Sequence, residues 1–450
     1  MDYNGRKIAV LGLAVSNTPL IRFLAEEGAQ VTVFDKKNAE YLQEYISQLA
    51  DLKLNYRFGD DYLNYLSNFE FIFVTPGMKK DLPELKKARD EGAIFSSEME
   101  LFLEKCPGKI IGITGSSGKT TTTTLIGLMI TSEFSSAFVG GNIGLSLIDK
   151  LPEMNYESRV VLELSSFQLQ SLKQSPYLAI ITNITPNHLD MHASMEEYIE
   201  AKSNIIRYQN SDNPVILNFD NEITHNLSQM VKGKLYYFSR HYQLEEGAFL
   251  DGDKLIIRLN GKNEVLTTKD RLKLLGDHNI ENILTAGLAG RLAGVPLVKL
   301  TKIVEEFTGV EHRLELVREL DGVKFYNDSI STTPDRAIAG LRAMTGPAVL
   351  IAGGYDKHLP FDNLAVEIVK KCKHLVVLGI TAPQIIAAVK KIRTDFPITL
   401  AETFADAVEI AASSTIPGDA VLLSPACASY DMFKNYQERG SLFKQLVREM

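Results

Sequence analysis

Short runs of apolar residues alternate with longer stretches of helical spacing along almost the whole chain. Ile8-Ala9-Val10-Leu11-Gly12 predicts a strand, Pro19 to Glu27 a helix, and Val31-Thr32-Val33-Phe34-Asp35 a second strand. Phe71-Ile72-Phe73-Val74 is a later strand that runs into the turn Thr75-Pro76-Gly77. Strands alternating with helices imply a parallel sheet closed by crossovers.

The pattern continues in two further segments. Val160 to Glu163, Ile180 to Asn183 and Val215 to Asn218 read as strands, and Asp251-Gly252-Asp253 as a hairpin turn. A helix follows Gly276-Asp277-His278-Asn279 and ends near Gly294. Beyond about Gly309, Ala348 to Ile351, Leu375 to Leu378 and Ala420 to Leu423 are buried-type strands, each running into Gly or Ser/Pro as strands do at ligand-binding carboxyl ends. Thr333-Pro334-Asp335 opens a helix with a cap hydroxyl, proline at the first position and an early acid. The chain is α/β, in three domains spanning 1–97, 98–309 and 310–450.

At 450 residues and 45% hydrophobic composition, such a division leaves each domain a proper core. No apolar run approaches the ~20 residues of a membrane span, and the N-terminus is polar. Cys106, Cys372 and Cys427 are too scattered for a disulfide framework or zinc spacing, which suits a reducing cytoplasm. A net charge of −8 without a basic block argues against nucleic acid as a partner.

The chemistry begins at Ile110-Ile111-Gly112-Ile113-Thr114-Gly115-Ser116-Ser117-Gly118-Lys119-Thr120-Thr121. An apolar strand breaks into a Gly/Ser loop, then a lysine and hydroxyls open a helix. Small residues let backbone N–H groups turn toward a polyphosphate, Lys119 can reach the β- and γ-phosphates, and Thr120 can hold Mg²⁺. Ile113 stands where the general pattern has glycine, so the loop is a shortened variant. Glu163 ends a strand about forty residues later, where an acid can face the Mg²⁺ held by Thr120. His188, in Thr185-Pro186-Asn187-His188-Leu189-Asp190, follows another strand; it is a metal or phosphate contact, or an ordinary surface histidine.

Ser194 to Glu197 forms a capping box, with Ser194 as cap and Glu197 returning the bond. On the helix it starts, Met195, Ile199, Lys202 and Ile206 make one apolar stripe. Lys202 is therefore either a snorkelling lysine or a buried amine, neutral enough to take up CO₂ as a carbamate that binds Mg²⁺. Asn279 either caps its helix or meets a ligand, and Asn282, one turn on, can reach an adenine edge. His312-Arg313 and Asn327-Asp328-Ser329 place a guanidinium and a carboxylate near the last domain junction, unless they only pair at the surface. In the first segment, Ala14 and Asn17 replace the glycines of a dinucleotide turn, while Asp35 keeps the acid that meets a ribose. An NAD site, a site for another nucleotide-linked ligand and a plain strand-turn-helix all remain open there.

Taken in order, these motifs resemble the Mur ligase family, the ATP-dependent amide ligases that build the peptidoglycan stem peptide. Ser424-Pro425-Ala426-Cys427-Ala428-Ser429-Tyr430-Asp431 and Glu438-Arg439-Gly440 resemble its D-glutamate-adding branch. The resemblance implies a Rossmann-like N-terminal domain, a central P-loop ATPase-like domain with a mainly parallel sheet, and a Rossmann-like C-terminal domain. It implies that Val15, Ser16, Asp35, Lys36, Thr75, Gly77 and Asn142 hold UDP-N-acetylmuramoyl-L-alanine. Gly115, Ser116, Ser117, Gly118, Lys119, Thr120, Thr121, Asn279, Asn282, Arg313 and Asp328 would hold ATP. Thr120, Glu163, His188 and carbamylated Lys202 would hold Mg²⁺ at two sites, with Lys119, Glu163, His188 and Lys202 as the catalytic set. Thr332, Lys357, Ser429 and Tyr436 would hold D-glutamate. The implied protein is a cytoplasmic monomer with small-molecule substrates and no membrane partner. The chain departs from the family where Ile330 replaces a lysine, and Tyr436 an aromatic that often lacks a hydroxyl. A sister ligase with another amino acid, a phosphate-loop kinase or GTPase, and a nucleotide-binding regulatory module are the rival functions.

Overall fold

The structure is a computed structural model that describes residues 2–79, 82–142, 146–186, 192–274, 276–344, 346–357 and 359–450. The chain forms two compact units, Met1–Phe307 and Thr308–Met450. The first carries two sheets and the second carries one.

The first sheet has five parallel strands in the order Asn55–Phe58, Gln30–Asp35, Lys7–Leu11, Phe71–Val74 and Ile94–Ser96. The order reverses between Lys7–Leu11 and Phe71–Val74, which opens a crevice at their carboxyl ends, beside Gly12 and Thr75. After their first residue, the KIAVL and QVTVF runs are buried throughout because helices cover both faces.

The second sheet has nine strands, with Lys109–Thr114 between Arg159–Glu163 and Leu178–Ile181, all parallel. Its far edge is antiparallel, Gly247–Asp251 turning back into Lys254–Leu259 at Gly252, as the sequence predicts. The helix Lys119–Glu133 crosses behind this sheet and packs on Asp277–Leu292. The second unit holds a six-stranded sheet, parallel except for Glu315–Leu320 at its edge. Among the described residues no helix is long and apolar enough to cross a membrane.

Local details differ from the sequence reading. Ser194 caps its helix by accepting from the Glu197 N–H, but the Glu197 carboxylate returns to the Ala193 N–H at 2.6 Å rather than to Ser194. Thr333 holds the extended cap position with Pro334 next to it, yet its hydroxyl makes no cap bond. Gly276, not Asn279, precedes the helix Asp277–Leu292. The strand expected through Asn183 ends at Ile181, which frees Thr182 and Asn183 for other work.

Candidate functional site

The phosphate loop leaves the central strand at Thr114 and enters the helix at Lys119. Gly118 turns the chain with φ of 78°, and a methyl there would strike the Asn282 side chain. A methyl at Gly115 would strike Thr182 Oγ1. Residues just past the neighbouring strand brace the loop. Thr182 Oγ1 donates to the Ser117 carbonyl at 2.6 Å, Asn183 Oδ1 accepts from the Ser117 N–H at 2.9 Å, and Ser116 Oγ donates to the Thr185 carbonyl at 2.9 Å. Sequence reasoning missed these braces; their signal was one hydroxyl and one amide, Thr182 and Asn183, at the end of an apolar strand.

Lys119 folds its amine back over the loop, with Nζ 2.9 Å from the Gly115 carbonyl and 3.3 Å from that of Ser116. Lys202 reaches the same Gly115 carbonyl, at 2.9 Å, and lies 3.3 Å from Thr114 Oγ1. Lys202 is 1% exposed, so the stripe buries it and the snorkelling alternative fails. Burial, then the nearby Lys119 charge, pushes its pKa down to about 6, with Glu163 opposing. The amine is thus mainly neutral at pH 7. Its Nζ stands 4.7 Å over the Tyr198 ring, whose hydroxyl is 3.1 Å from Ser116 Oγ. Tyr198 was not singled out in the sequence, although it sits one turn before Lys202 on the same helix face.

Glu163 ends its strand 3% exposed, one oxygen accepting from Asn142 Nδ2 at 2.9 Å. Its other oxygen, Oε2, is buried and has no hydrogen-bond partner among the described residues. A buried carboxylate oxygen left bare is costly, and a cation beside it removes the cost. Lys202 could add carbamate oxygens if its amine carries CO₂, and Thr120, at the helix start, carries a hydroxyl, donors of the kind Mg²⁺ takes. Among the described residues no three His, Cys, Asp or Glu side chains gather to hold a metal. His188 lies outside the described residues.

Asn282 is turned inward: its Nδ2 donates to Asn279 Oδ1 at 3.1 Å and its Oδ1 accepts from Thr122 at 3.3 Å. The pair locks the helix Asp277–Leu292 under the loop. In the first sheet, Asp35 accepts from the backbone N–H groups of Leu13, at 2.7 Å, and Lys37, at 2.8 Å. It thereby shapes the turn that carries Val15 and Ser16, both displayed toward solvent or only partly covered, with Lys36 exposed beside them. Thr75 lines a cleft of about 500 Å³, open mouth included, with Pro76, Arg89, Phe95, Phe167 and Gln168. Gly77 follows it with φ of 95°. Asn142 stands apart from this group, against Glu163.

In the second unit Asp328 is buried and accepts from Ser331 Oγ at 2.6 Å, Ser424 Oγ at 2.7 Å and the Leu314 N–H at 3.2 Å. Burial pushes its pKa up to about 6, while those bonds and the Arg313 charge oppose the rise. A simple surface pair is excluded for Asp328. Lys357 Nζ lies 3.3 Å from both the carbonyl and the hydroxyl of Thr332. The Tyr436 ring stands edge-on to His312 with centroids 6.0 Å apart. Ser429 is buried, and its carbonyl accepts from the Met432 and Phe433 N–H groups. Arg439, fully buried, clamps this region: Nη2 donates to the Ser329 carbonyl at 2.9 Å and Nη1 to the Cys427 carbonyl at 3.2 Å.

Three family models match the chain: a Mur ligase MurD-like N-terminal domain over 6–96, the Mur ligase middle domain over 113–290, and the Mur ligase glutamate ligase domain over 312–427. The UDP-N-acetylmuramoylalanine–D-glutamate ligase of Acetivibrio thermocellus is 46% identical over 99% of this chain and 97% of its own. The enzyme of the same name from Clostridium novyi is 47% identical over 99% and 97%. Among solved structures, the UDP-N-acetylmuramate–alanine ligase of Thermotoga maritima has a TM-score of 0.59 at 19% identity, covering 99% of both chains. MurF from Acinetobacter baumannii also has a TM-score of 0.59, at 17% identity over 98% of this chain and 93% of its own. These two likenesses speak to the fold alone. With its three sheets in this order, its shortened phosphate loop and full-length relatives at this identity, the chain belongs to the Mur ligase family.

Proposed function

We propose that the chain is an ATP-dependent amide ligase that joins D-glutamate to UDP-N-acetylmuramoyl-L-alanine in peptidoglycan precursor synthesis. The observation that carries this reading is the convergence of Lys119, Lys202 and the bare Glu163 oxygen on one phosphate loop, within a chain nearly half identical to ligases of that name.

The γ-phosphoryl of ATP passes to the substrate carboxylate and gives an acyl phosphate. The D-glutamate amine then attacks the carbonyl carbon, and phosphate leaves as the amide forms. Both the carboxylate and the phosphoryl are anionic, so offsetting their repulsion is the main catalytic task. Lys119 and the loop N–H groups meet the phosphates, with Thr121 and the Asn279–Asn282 pair supporting the loop and the nucleotide. Asn142 fixes one oxygen of Glu163 and leaves the other available, where it would hold a cation. Mg²⁺, held by Thr120, Glu163, His188 and the carbamate of Lys202, would supply positive charge to the phosphoryl oxygens. The carbamate forms as the neutral Lys202 amine adds to CO₂ and releases one proton.

Residues 1–97 would hold the UDP-linked substrate through Ser16, Asp35, Lys36, Thr75 and Gly77. Residues 98–309 would hold ATP, and 310–450 would hold the amino acid through Thr332, Lys357, Ser429 and Tyr436; the family resemblance would add Arg313 and Asp328 to the residues that serve ATP. A sister ligase using another amino acid is the nearest alternative. ADP release measured across D-glutamate, L-alanine and diamino acids, with UDP-N-acetylmuramoyl-L-alanine present, separates the two. Stimulation by D-glutamate alone is expected; stimulation by another amino acid in its place overturns the assignment.

A further inference from the structure

D-glutamate presents two carboxylates, and its amine must stay free and neutral to attack. Cationic partners give the strongest hydrogen bonds to both of these anionic groups. Of the four residues named for this ligand, only Lys357 carries a positive charge.

Arg336 reaches the loop that Lys357 reaches. It is the third residue of the helix Pro334–Ala343, exposed, with its Nη1 3.4 Å from the Ile330 carbonyl. Lys357 reaches the carbonyl and hydroxyl of Thr332, two residues further on, and the Thr332 N–H itself donates to the Ile330 carbonyl at 2.9 Å. Both cations thus converge on residues 330–332. With isoleucine at 330 and hydroxyls at Ser331, Thr332 and Thr333, that loop has no cation of its own. Among the described residues neither Arg336 nor Lys357 has a carboxylate partner. The placement is unfavourable in the free protein, because a cation in the first turn opposes the helix dipole and the two like charges repel. Consistent with that, partial burial and then the Arg336 charge hold the Lys357 amine below its ordinary range, and the same charge acts on the Tyr436 phenol. An incoming dianion relieves both costs.

We infer that Arg336 is a second carboxylate-binding residue of the amino-acid site, so that Arg336 and Lys357 together select a dicarboxylic amino acid. This rests on the ligase reading above and names a determinant of its specificity. The guanidinium offers a forked, paired contact that a single ammonium does not.

Arg336→Ala and Arg336→Lys test it in the full-length enzyme, by ADP release with the UDP-linked substrate at saturation. The alanine variant should raise KM for D-glutamate at least tenfold while KM for ATP and for the UDP-linked substrate stays within twofold. The lysine variant should fall between. Glutarate, a dicarboxylate without the amine, should compete with D-glutamate in the unaltered enzyme and lose most of its inhibition in Arg336→Ala. Thermal stability should hold or rise, since the helix loses an adverse charge. An unchanged KM for D-glutamate, or a uniform rise in all three KM values with a falling Tm, overturns the assignment. If the unaltered enzyme responds to a different amino acid, the ligase reading fails as stated. Arg336 then still requires that this amino acid carry a second carboxylate, and one without it refutes the inference.

Discussion

Asn142 grips Glu163 twice: its Nδ2 donates to Oε1 at 2.9 Å and its backbone N–H to the Glu163 carbonyl at 2.8 Å. The grip fixes the carboxylate plane and leaves Oε2 buried and, among the described residues, bare. Glu163→Gln keeps the shape and removes the charge. It should leave the fold intact and lower kcat at least ~10²-fold, about 2.7 kcal/mol of transition-state stabilisation. Activity within threefold of the parent, in a folded variant, would remove Glu163 from the cation site.

Lys202 shares the Gly115 carbonyl with Lys119, and only a neutral amine can add CO₂. Lys202→Ala should be nearly inactive and regain part of its activity with millimolar short carboxylates, which can fill the vacated space. Lys202→Arg should not be rescued, because the guanidinium stays charged and occupies the site. A ¹³C signal from the carbamate in ¹³CO₂-equilibrated enzyme, absent in both variants, is the direct check. An active alanine variant without added carboxylate contradicts it.

Asp35 shapes the first turn through the Leu13 and Lys37 N–H groups, so its effect should be confined to the first domain. Asp35→Ala should raise KM for the UDP-linked substrate about tenfold or more and change KM for ATP little. Equal rises in both constants, or tight NAD binding, would contradict the site assignment.

Glu98 is buried beside Ser146, whose hydroxyl donates to it at 2.7 Å, and burial pushes its pKa up to about 6, the Asp149 charge adding to the rise. The folded-state value lies above the ordinary 4.5. Its stabilising contribution is therefore complete below the unfolded pKa and disappears as pH rises through about 6. At neutral pH the ionised group costs roughly 2 kcal/mol. Glu98→Gln should melt a few degrees higher than the parent at pH 8 and level with it at pH 4.5. The same offset at both pH values would show that the carboxylate does not titrate there.

Much of this was legible in the sequence, for identifiable reasons. Strands such as Ala348–Ala352 are buried along their whole length, so an unbroken apolar run announces them. The phosphate loop is local, with its glycines, Lys119 and Thr120 in one stretch. Lys202 was visible because a charged residue on an apolar stripe breaks the pattern. What could not be read depends on register between distant segments. Thr182 and Asn183 brace Ser117 only because Thr114 pairs with Ile181 in the adjacent strand. The Asn142–Glu163 grip likewise follows from the pairing of Gly141 with Glu163. Arg439 gave no signal in its helix pattern, since its partners at Ser329 and Cys427 come from two other loops.

In the proposed reaction the substrate carboxylate itself accepts the phosphoryl group before the amide forms. UDP-N-acetylmuramoyl-L-alanine with both alanyl carboxylate oxygens labelled with ¹⁸O puts this to the test, run to completion with ATP and D-glutamate. One labelled oxygen should stay in the new amide and the other leave with phosphate, so mass spectrometry should find one ¹⁸O per released inorganic phosphate. Phosphate free of ¹⁸O, with amide formed, would contradict the account.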